Sequence, residues 1–243
     1  MSGHNKWSTI KHRKAANDAK RGKILTKHSK ILSVVGMTDP NPDTNSALKT
    51  AITNAKSDGV PKDNIERILK KLRGEGKDGV QYAEVLYEAY APGGVPFLIS
   101  GLTDNVNRTF PQVRTAVEKS GGKLGSPNSV KFLFDQIGII LIETQNRTED
   151  ELFEIVANAG GEDFEREDEE TEIFTTFDNL GAVRDALTDA GVEVKKAETR
   201  YQTKDPVKIE DQTTLDQLEK FTEKIEETCD DIDEVFGGYI INF

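Results

Sequence analysis

The chain has 243 residues, of which 31% are charged and 35% are hydrophobic, and its formal net charge is −11 at pH 7. This length allows two or three domains with buried cores, and no apolar run reaches the roughly eighteen residues that a membrane-spanning helix needs. A single cysteine, Cys229, excludes internal disulfides and cysteine-cluster metal sites, so a reducing, cytoplasmic setting is expected. The first residues lack the apolar segment of a secretory signal.

The first thirty residues concentrate positive charge. They contain nine Lys or Arg and one acid, Asp18, so their formal charge is +8. Crowded cations repel one another and gain when a polyanion neutralises them, because counterions condensed on the polyanion are released. This pattern predicts nucleic-acid binding, and the alternative is a solvated basic arm that only aids solubility.

Aromatic and imidazole rings are interleaved with these cations, and such rings stack on exposed bases in single-strand and RNA-binding proteins. Trp7 is the only tryptophan, and all three histidines (His4, His12 and His28) lie in the same thirty residues. Metal ligation by these histidines is disfavoured, because lysines flank them. The predicted nucleic-acid-binding residues are Lys6, Trp7, Lys11, His12, Arg13, Lys14, Lys20, Arg21, Lys23, Lys27 and Lys30.

Three helices are predicted for residues 1–80. In the first, over 20–35, the apolar residues share one arc and the lysines share a neighbouring arc, which predicts a packed side and a cationic side. Upstream of this helix the chain has few apolar residues and is expected to order only on its partner. The second helix is predicted over 46–57. The third begins with Asp63 as its cap and Glu66 three residues later, a spacing that resembles a capping box.

The net charge of the chain changes sign after residue 80. Residues 1–80 contain seventeen Lys or Arg and eight Asp or Glu, whereas residues 81–243 contain fifteen and thirty-five. The formal charge therefore passes from +9 to −20 across a glycine-rich linker at 74–79. This linker is the first predicted domain boundary.

Beyond the linker, alternating apolar residues predict two strands around a hairpin turn at 91–94, then a helix and a strand at 130–135. Residues 138–200 follow the β-α-β-β-α-β order of a ferredoxin-like sandwich. The last helix and strand have no sheet of their own and are expected to return to the earlier one. The predicted fold class is α+β with three domains: a basic three-helix domain at 1–80, a discontinuous α/β domain at 81–137 and 201–243, and an inserted, acidic ferredoxin-like domain at 138–200.

Enzymatic chemistry is not predicted. The sequence has no glycine-rich nucleotide loop, no GxSxG motif and no pairing of a nucleophile with a base. Cys229 has no histidine near it in sequence, which favours an inert thiol. The acidic run at 162–172 is interpreted as a solvated hairpin rim rather than a Mg²⁺ site, because it lacks the spacing of a calcium loop. We therefore expect no catalytic residue, no metal and no cofactor.

A polar cluster at 102–109 is predicted where a buried strand meets a helix. Asn105 or Asn107 is expected to cap that helix by accepting hydrogen bonds from N–H groups of its first turn. The alternative is contact with a partner through Asn105, Asn107, Arg108 and Arg114, because this is the one region of the acidic half with free cations.

Five segments resemble, in order, the YebC/PmpR family. They are GHNKWSTIKHRKAANDAKRGKILTK (3–27), VPKDNIERILKK (60–71), YEAYAPGGV (87–95), LTDNVNRTFPQVR (102–114) and GGKLGSPNSVKFLFD (121–135). Together they spread over the first 135 residues, and the length and layout agree to the C-terminus. Members are described as transcriptional regulators, and some as ribosome-associated translation factors.

The resemblance implies a non-enzymatic regulator of gene expression that binds nucleic acid and not membranes, and a monomer is expected. The family description favours a DNA-binding regulator of transcription. The alternative is a translation factor that binds ribosomal RNA on the ribosome and assists elongation through difficult sequences, such as proline-rich ones. The sequence shows no helix-turn-helix signature, and its acidic part would be repelled by long duplex DNA, so the physical argument favours RNA. Both ligands remain open from the sequence.

Overall fold

The computed structural model describes residues 18–75, 82–145 and 147–243. Over these ranges the protein is α+β, with seven α-helices, two four-stranded sheets and one short two-stranded sheet, so the predicted fold class is confirmed. The described part of the chain contains no helix that is both long and apolar enough to cross a bilayer.

Three helices come first along the described chain: α1 (Asp18–Val35), α2 (Ser46–Ser57) and α3 (Lys62–Lys70). One π-helical turn, Lys71–Glu75, follows α3, and Gly74 takes the left-handed backbone (φ 84°) within it. The apolar faces of the three helices form a single core. Its buried members are Leu32, Leu48, Ala51, Ala55, Val60, Ile65 and Ile68.

The N-termini of α2 and α3 are built differently. Asn45 Oδ1 accepts a hydrogen bond from the backbone N–H of Leu48 (3.0 Å), which satisfies a first-turn donor of α2. The predicted Asp63 cap of α3 is wrong, because the helix already begins at Lys62 with Pro61 before it and no side-chain cap. The ring of Pro61 fixes φ at −59° and sets the entry of the chain into the helix. Asp63 lies in the first turn, where its charge complements the helix dipole.

The first sheet along the chain combines strands from between residues 83 and 124 with a strand from near the C-terminus. Its strands are β1 (Ala83–Tyr90), β2 (Pro96–Thr103), β3 (Lys123–Leu124) and β9 (Ile232–Gly237), in the order β3-β1-β2-β9. A 3-10 turn, Pro92–Gly94, joins β1 to β2 as a hairpin. The helices of this region are α4 (Val106–Lys119) and α7 (Gln212–Thr228). A parallel pair of short strands, β8 (Val207–Ile209) and β10 (Tyr239–Ile241), completes it.

The pairing of β9 with β2 returns the end of the chain to the first hairpin, as the sequence predicts. The register shifts between Ser100 and Gly101, where the two strands approach closely. A Cβ at Gly101 would lie only 2.0 Å from the carbonyl oxygen of Asp231, so glycine is required at this position.

The remaining strands and helices form a ferredoxin-like sandwich. They are β4 (Phe134–Glu143), α5 (Glu149–Ala159), β5 (Asp163–Glu167), β6 (Glu170–Thr176), α6 (Leu180–Asp189) and β7 (Val194–Thr203). The sheet order β5-β6-β4-β7 is the ferredoxin-like order. The two helices pack on this sheet over a core that includes Ile140, Leu152, Ile173, Val183 and Leu187.

The predicted separate strand at 130–135 is wrong. Lys131–Leu133 form a 3-10 turn, and β4 starts only at Phe134 and runs on without a break to Glu143. The backbone N–H groups of Val130 and Lys131 donate to the carboxylate of Glu88, so they are not available to a strand ladder.

Contacts divide the described chain into two compact units. One comprises the described residues of 24–79 and 136–200, which join the helical segment to the ferredoxin-like sandwich. The other comprises the described residues up to 23, of 80–135 and of 201–243.

Polar contacts hold α2 against the ferredoxin-like sandwich within the first unit. The Asn54 side chain pairs with the backbone of Ala197 on the edge strand β7, donating to its carbonyl (2.5 Å) and accepting from its N–H (2.9 Å). Arg184 of α6 is only 2% exposed and donates to the Ser46 carbonyl (2.9 Å) and to the Thr50 hydroxyl. The two segments are therefore joined by partly buried hydrogen bonds, which become costly when one partner is lost.

Replacing Arg184 with Met is expected to lower the free energy of unfolding by about 2–4 kcal/mol, because the carbonyl and hydroxyl of α2 lose a buried cationic donor. Urea unfolding of the full chain measures the change. Arg166→Met is the matched control, since Arg166 is an exposed arginine of the same sandwich and should cost under about 0.5 kcal/mol. Equal losses for the two variants would contradict this assignment.

Candidate nucleic-acid interface

The predicted nucleic-acid-binding residues fall into two groups. Lys20, Arg21, Lys23, Lys27 and Lys30 lie on α1. The others lie outside the described residues and remain predictions: Lys6, Trp7, Lys11, His12, Arg13 and Lys14.

The lysines of α1 do not share one exposed face. Lys23 is exposed, and its ammonium group lies 3.2 Å from the Asp230 carboxylate and 3.3 Å from the Glu226 carbonyl oxygen. Lys27 is partly exposed, whereas Lys30 is only 6% exposed. The predicted cationic arc therefore ends before Lys30. This part of α1 is covered on more than one side, because His28 and Leu32, which point in other directions, are also buried.

His28 cannot serve as a base-stacking ring in this structure. Its Nε2 lies 2.7 Å from the carboxylate of Asp58. Burial raises the pKa of Asp58, but the hydrogen bond to His28 and the charges of Lys196 and Lys27 outweigh it, so that pKa is lowered. Asp58 is thus held as a carboxylate that anchors α1 to the end of α2, and the prediction for this histidine is corrected to a structural role.

A second group of cations lies on α3 and the turn that follows it. Arg67, Lys70, Lys71 and Arg73 are exposed on the side opposite the apolar stripe that enters the core. Within the described ranges, no ion pair involves these four residues, although Arg67 donates to the Asn64 side chain (3.3 Å). The helical period of the sequence already separated them from the stripe, but their exposure had to come from the structure.

The 102–109 cluster forms the junction of β2 with α4. Asn105 caps α4, since its Oδ1 accepts from the backbone N–H of Arg108 (3.1 Å). The Arg108 guanidinium lies 2.6 Å from the Asp104 carboxylate and 2.7 Å from that of Asp231. Asp231 is buried and immediately precedes β9.

Of the other two residues proposed for partner contact, one is also engaged in an ion pair. Arg114 pairs with Glu118 one turn later (2.8 Å), while Asn107 is exposed. Neither arginine of this cluster is therefore a free cation, and the expectation of free cations here is corrected. The ion pairs favour the capping interpretation over contact of Arg108 or Arg114 with a partner.

The described residues offer no visible site for metal or thiol chemistry. Within 18–75, 82–145 and 147–243, no three His, Cys, Asp or Glu side chains converge as metal ligands. The acidic run forms the β5–β6 hairpin, whose turn contains Asp168 with a left-handed backbone (φ 48°). Burial first, and then the charges of Asp230 and Asp231, raise the pKa of the Cys229 thiol to about 11, so the unreactive thiol form prevails.

The fold and this site define a class of protein: a three-domain α+β protein that joins a basic helical segment to two acidic α/β parts. The chain belongs to the TACO1/YebC family. The family model described as the TACO1/YebC protein N-terminal domain matches residues 5–75. The family model described as the TACO1/YebC second and third domain matches residues 82–239.

Relatives match along the whole chain. A protein of Trichlorobacter lovleyi is 43% identical, covering 100% of this chain and 97% of its own length. One from Enterococcus faecalis is 44% identical, covering 97% and 98%, and both are named probable transcriptional regulatory protein. The crystal structure of a conserved hypothetical protein from Aquifex aeolicus has a TM-score of 0.84 at 38% identity, covering 98% of this chain and 97% of that one.

Proposed function

We propose that this protein is a non-enzymatic regulator of gene expression that binds nucleic acid through its basic N-terminal region. The observation that carries the proposal is charge segregation, with +9 in residues 1–80 and −20 in the remainder. Such segregation produces electrostatic repulsion within the basic part. A bound polyanion neutralises these cations, and the release of its condensed counterions favours binding. The names of the relatives, which describe probable transcriptional regulators, support the regulatory role.

The residues are assigned by their chemistry. In this proposal the cations of the first thirty residues contact phosphates, together with Arg67, Lys70, Lys71 and Arg73 of the α3 surface. Trp7 stacks on an exposed base. Lys30 and His28 are omitted from the contact surface, because both are buried.

Transcriptional regulation on DNA is the first candidate, because the relatives carry that name. Ribosomal RNA is the second candidate, in which the protein acts as a translation factor. The observation that favours RNA is the −20 charge of residues 81–243. Long duplex DNA carries dense negative charge along its whole length and is repelled by the acidic residues, whereas a folded or single-stranded RNA can present phosphates locally.

Crosslinking in cells, followed by sequencing of both RNA and DNA, distinguishes the two ligands. Enrichment of large-subunit ribosomal RNA is expected if the protein is a translation factor, and discrete promoter peaks are expected if it regulates transcription. A chain with Lys11, Arg13 and Lys14 replaced by alanine is the control, since its crosslinks should fall in either case. Crosslinking to neither nucleic acid would contradict the proposed function.

A further inference from the structure

A buried carboxylate fixes an exposed loop in the second unit. Glu88 of β1 accepts three backbone N–H groups, from Asn128 (2.5 Å), Val130 (2.6 Å) and Lys131 (2.7 Å). The Glu88 carbonyl accepts a fourth, from Gly125 (2.7 Å). We call residues 123–132 the Phe132 loop. Its backbone is held at four points by one residue of the sheet.

Further contacts make the same loop rigid. The Tyr90 hydroxyl donates to the carbonyl of Ser129 (2.8 Å), and Asn128 is held in the left-handed backbone region (φ 64°), which few residues other than glycine adopt. Burial raises the pKa of Glu88, but the three backbone donors and the charge of Lys131 outweigh it and lower that pKa. The carboxylate that holds the loop is therefore ionised at neutral pH.

The loop presents an aromatic ring to solvent. Phe132 is 63% exposed, while Phe134, two residues later, is buried with Leu98 and Phe236. The ring of Phe132 is thus not the side chain that anchors this segment to the core. Single exposed apolar residues are common and require no function by themselves. What distinguishes Phe132 is the charge around it.

The loop is a cationic segment within an acidic half of the chain. From Lys119 to Phe134 the sequence contains three lysines and no acid, although residues 81–243 contain thirty-five acids. Lys123 and Lys131 are both exposed, and neither forms an ion pair within the described ranges, although the charge of Lys131 acts on the Glu88 carboxylate that holds the loop. Phe153, which is exposed to the same extent (65%), lies instead on α5 among Glu149, Asp150 and Glu154.

We propose that the Phe132 loop is a second contact surface for single-stranded nucleic acid. Lys123 and Lys131 neutralise phosphates, and the ring of Phe132 stacks on an unpaired base. Cations interleaved with an exposed aromatic ring on a preorganised backbone are the elements of sequence-tolerant single-strand binding. The inference rests on the proposed function, because two lysines give weak binding until the N-terminal region holds the same strand.

Three variants of the full chain test the proposal, with labelled single-stranded RNA and DNA of about sixteen nucleotides and the matching duplex as probes. Phe132→Ala is expected to weaken binding to the single strands by roughly 5- to 150-fold without changing the salt slope, and to leave duplex binding unaltered. Replacing Lys123 and Lys131 together with alanine is expected to reduce the log–log salt slope by about 1.4. Glu88→Gln removes one acceptor oxygen and loosens the loop. The loss of single-strand affinity in this variant should therefore be smaller than the loss caused by Phe132→Ala. Comparing RNA with DNA shows which strand the loop prefers.

Matched controls separate this surface from general effects. Phe153→Ala removes an equally exposed ring, and replacing Lys220 and Lys224 with alanine removes two exposed lysines from α7, so both should bind as the unchanged protein does. The Phe132 and lysine substitutions are exposed, and unchanged melting temperatures verify that these variants fold. Unchanged single-strand binding by Phe132→Ala would overturn the proposal. That result, combined with loss of binding by the Lys11, Arg13 and Lys14 variant, leaves the proposed function intact. The proposal for the Phe132 loop would also be overturned if Phe132→Ala abolished binding to a protein partner and left binding to nucleic acid unchanged.

Discussion

Alanine at Lys11, Arg13 and Lys14 is expected to weaken the binding of nucleic acid by about 100-fold near 0.15 M salt. Each phosphate contact contributes about −0.7 to −0.9 to the slope of log affinity against log salt, so three lost contacts reduce the slope by about two to three. We expect about four to seven contacts in the unchanged protein and a slope near −3 to −6. Fluorescence anisotropy across a salt series measures both quantities. An affinity that does not depend on salt would refute the electrostatic basis of the proposed function.

Trp7→Ala provides the contrasting measurement. If the ring stacks on a base, affinity falls by roughly 1–3 kcal/mol while the salt slope and the melting temperature stay the same. A fall in melting temperature would show instead that Trp7 packs against the protein. The triple variant is expected to keep its melting temperature, because few apolar residues surround these cations in the sequence.

Replacing Asp231 with Ala is expected to lower the free energy of unfolding by about 2–4 kcal/mol, because two buried hydroxyls lose a charged acceptor. Its buried carboxylate accepts from the hydroxyls of Thr103 (3.0 Å) and Thr109 (2.8 Å) and from the guanidinium of Arg108 (2.7 Å). These donors lie at the end of β2 and in the first turn of α4, while Asp231 precedes β9. One carboxylate thus joins three elements, and its loss leaves buried donors without their acceptor.

Asp230→Ala is the matched control for this variant. The neighbouring carboxylate is 85% exposed and pairs with Lys23 at the surface, where an ion pair contributes about 0–1 kcal/mol. Denaturant unfolding of both variants should therefore separate them by at least about 1 kcal/mol. A loss below about 1 kcal/mol for Asp231→Ala would show that water satisfies the donors of this cluster.

Local patterns in the sequence were sufficient for much of the fold. The turn residues at 39–45 and Gly59 predicted the limits of α2 at 46–57, and the order of strands and helices after residue 138 predicted the ferredoxin-like arrangement. Both predictions depend on residues a few positions apart. The Asp63 cap failed for a local reason, because the helix begins one residue earlier, after Pro61. The predicted strand at 130–135 failed because of a contact between distant residues, since Glu88 accepts hydrogen bonds from the backbone N–H groups there.

The candidate site, too, was predicted from the sequence only in part. The composition and order of residues determined the segregation of charge, and hence the prediction of a polyanion ligand, without reference to any contact. The family followed from the ordered sequence segments. Neither the exposure of the Phe132 loop nor that of the α3 cations was derived from the sequence, because exposure depends on which faces the other elements cover.

Only the tertiary structure decided which charged residues are available to a ligand. Helical spacing grouped Lys30 with the exposed lysines of α1, but that part of the helix is covered on more than one side. Arg108 looked free in the sequence, yet its partner Asp231 lies 123 residues further along the chain. A helical period describes the direction of a side chain from its own axis. What lies in that direction is set by long-range packing, which brings distant residues into contact.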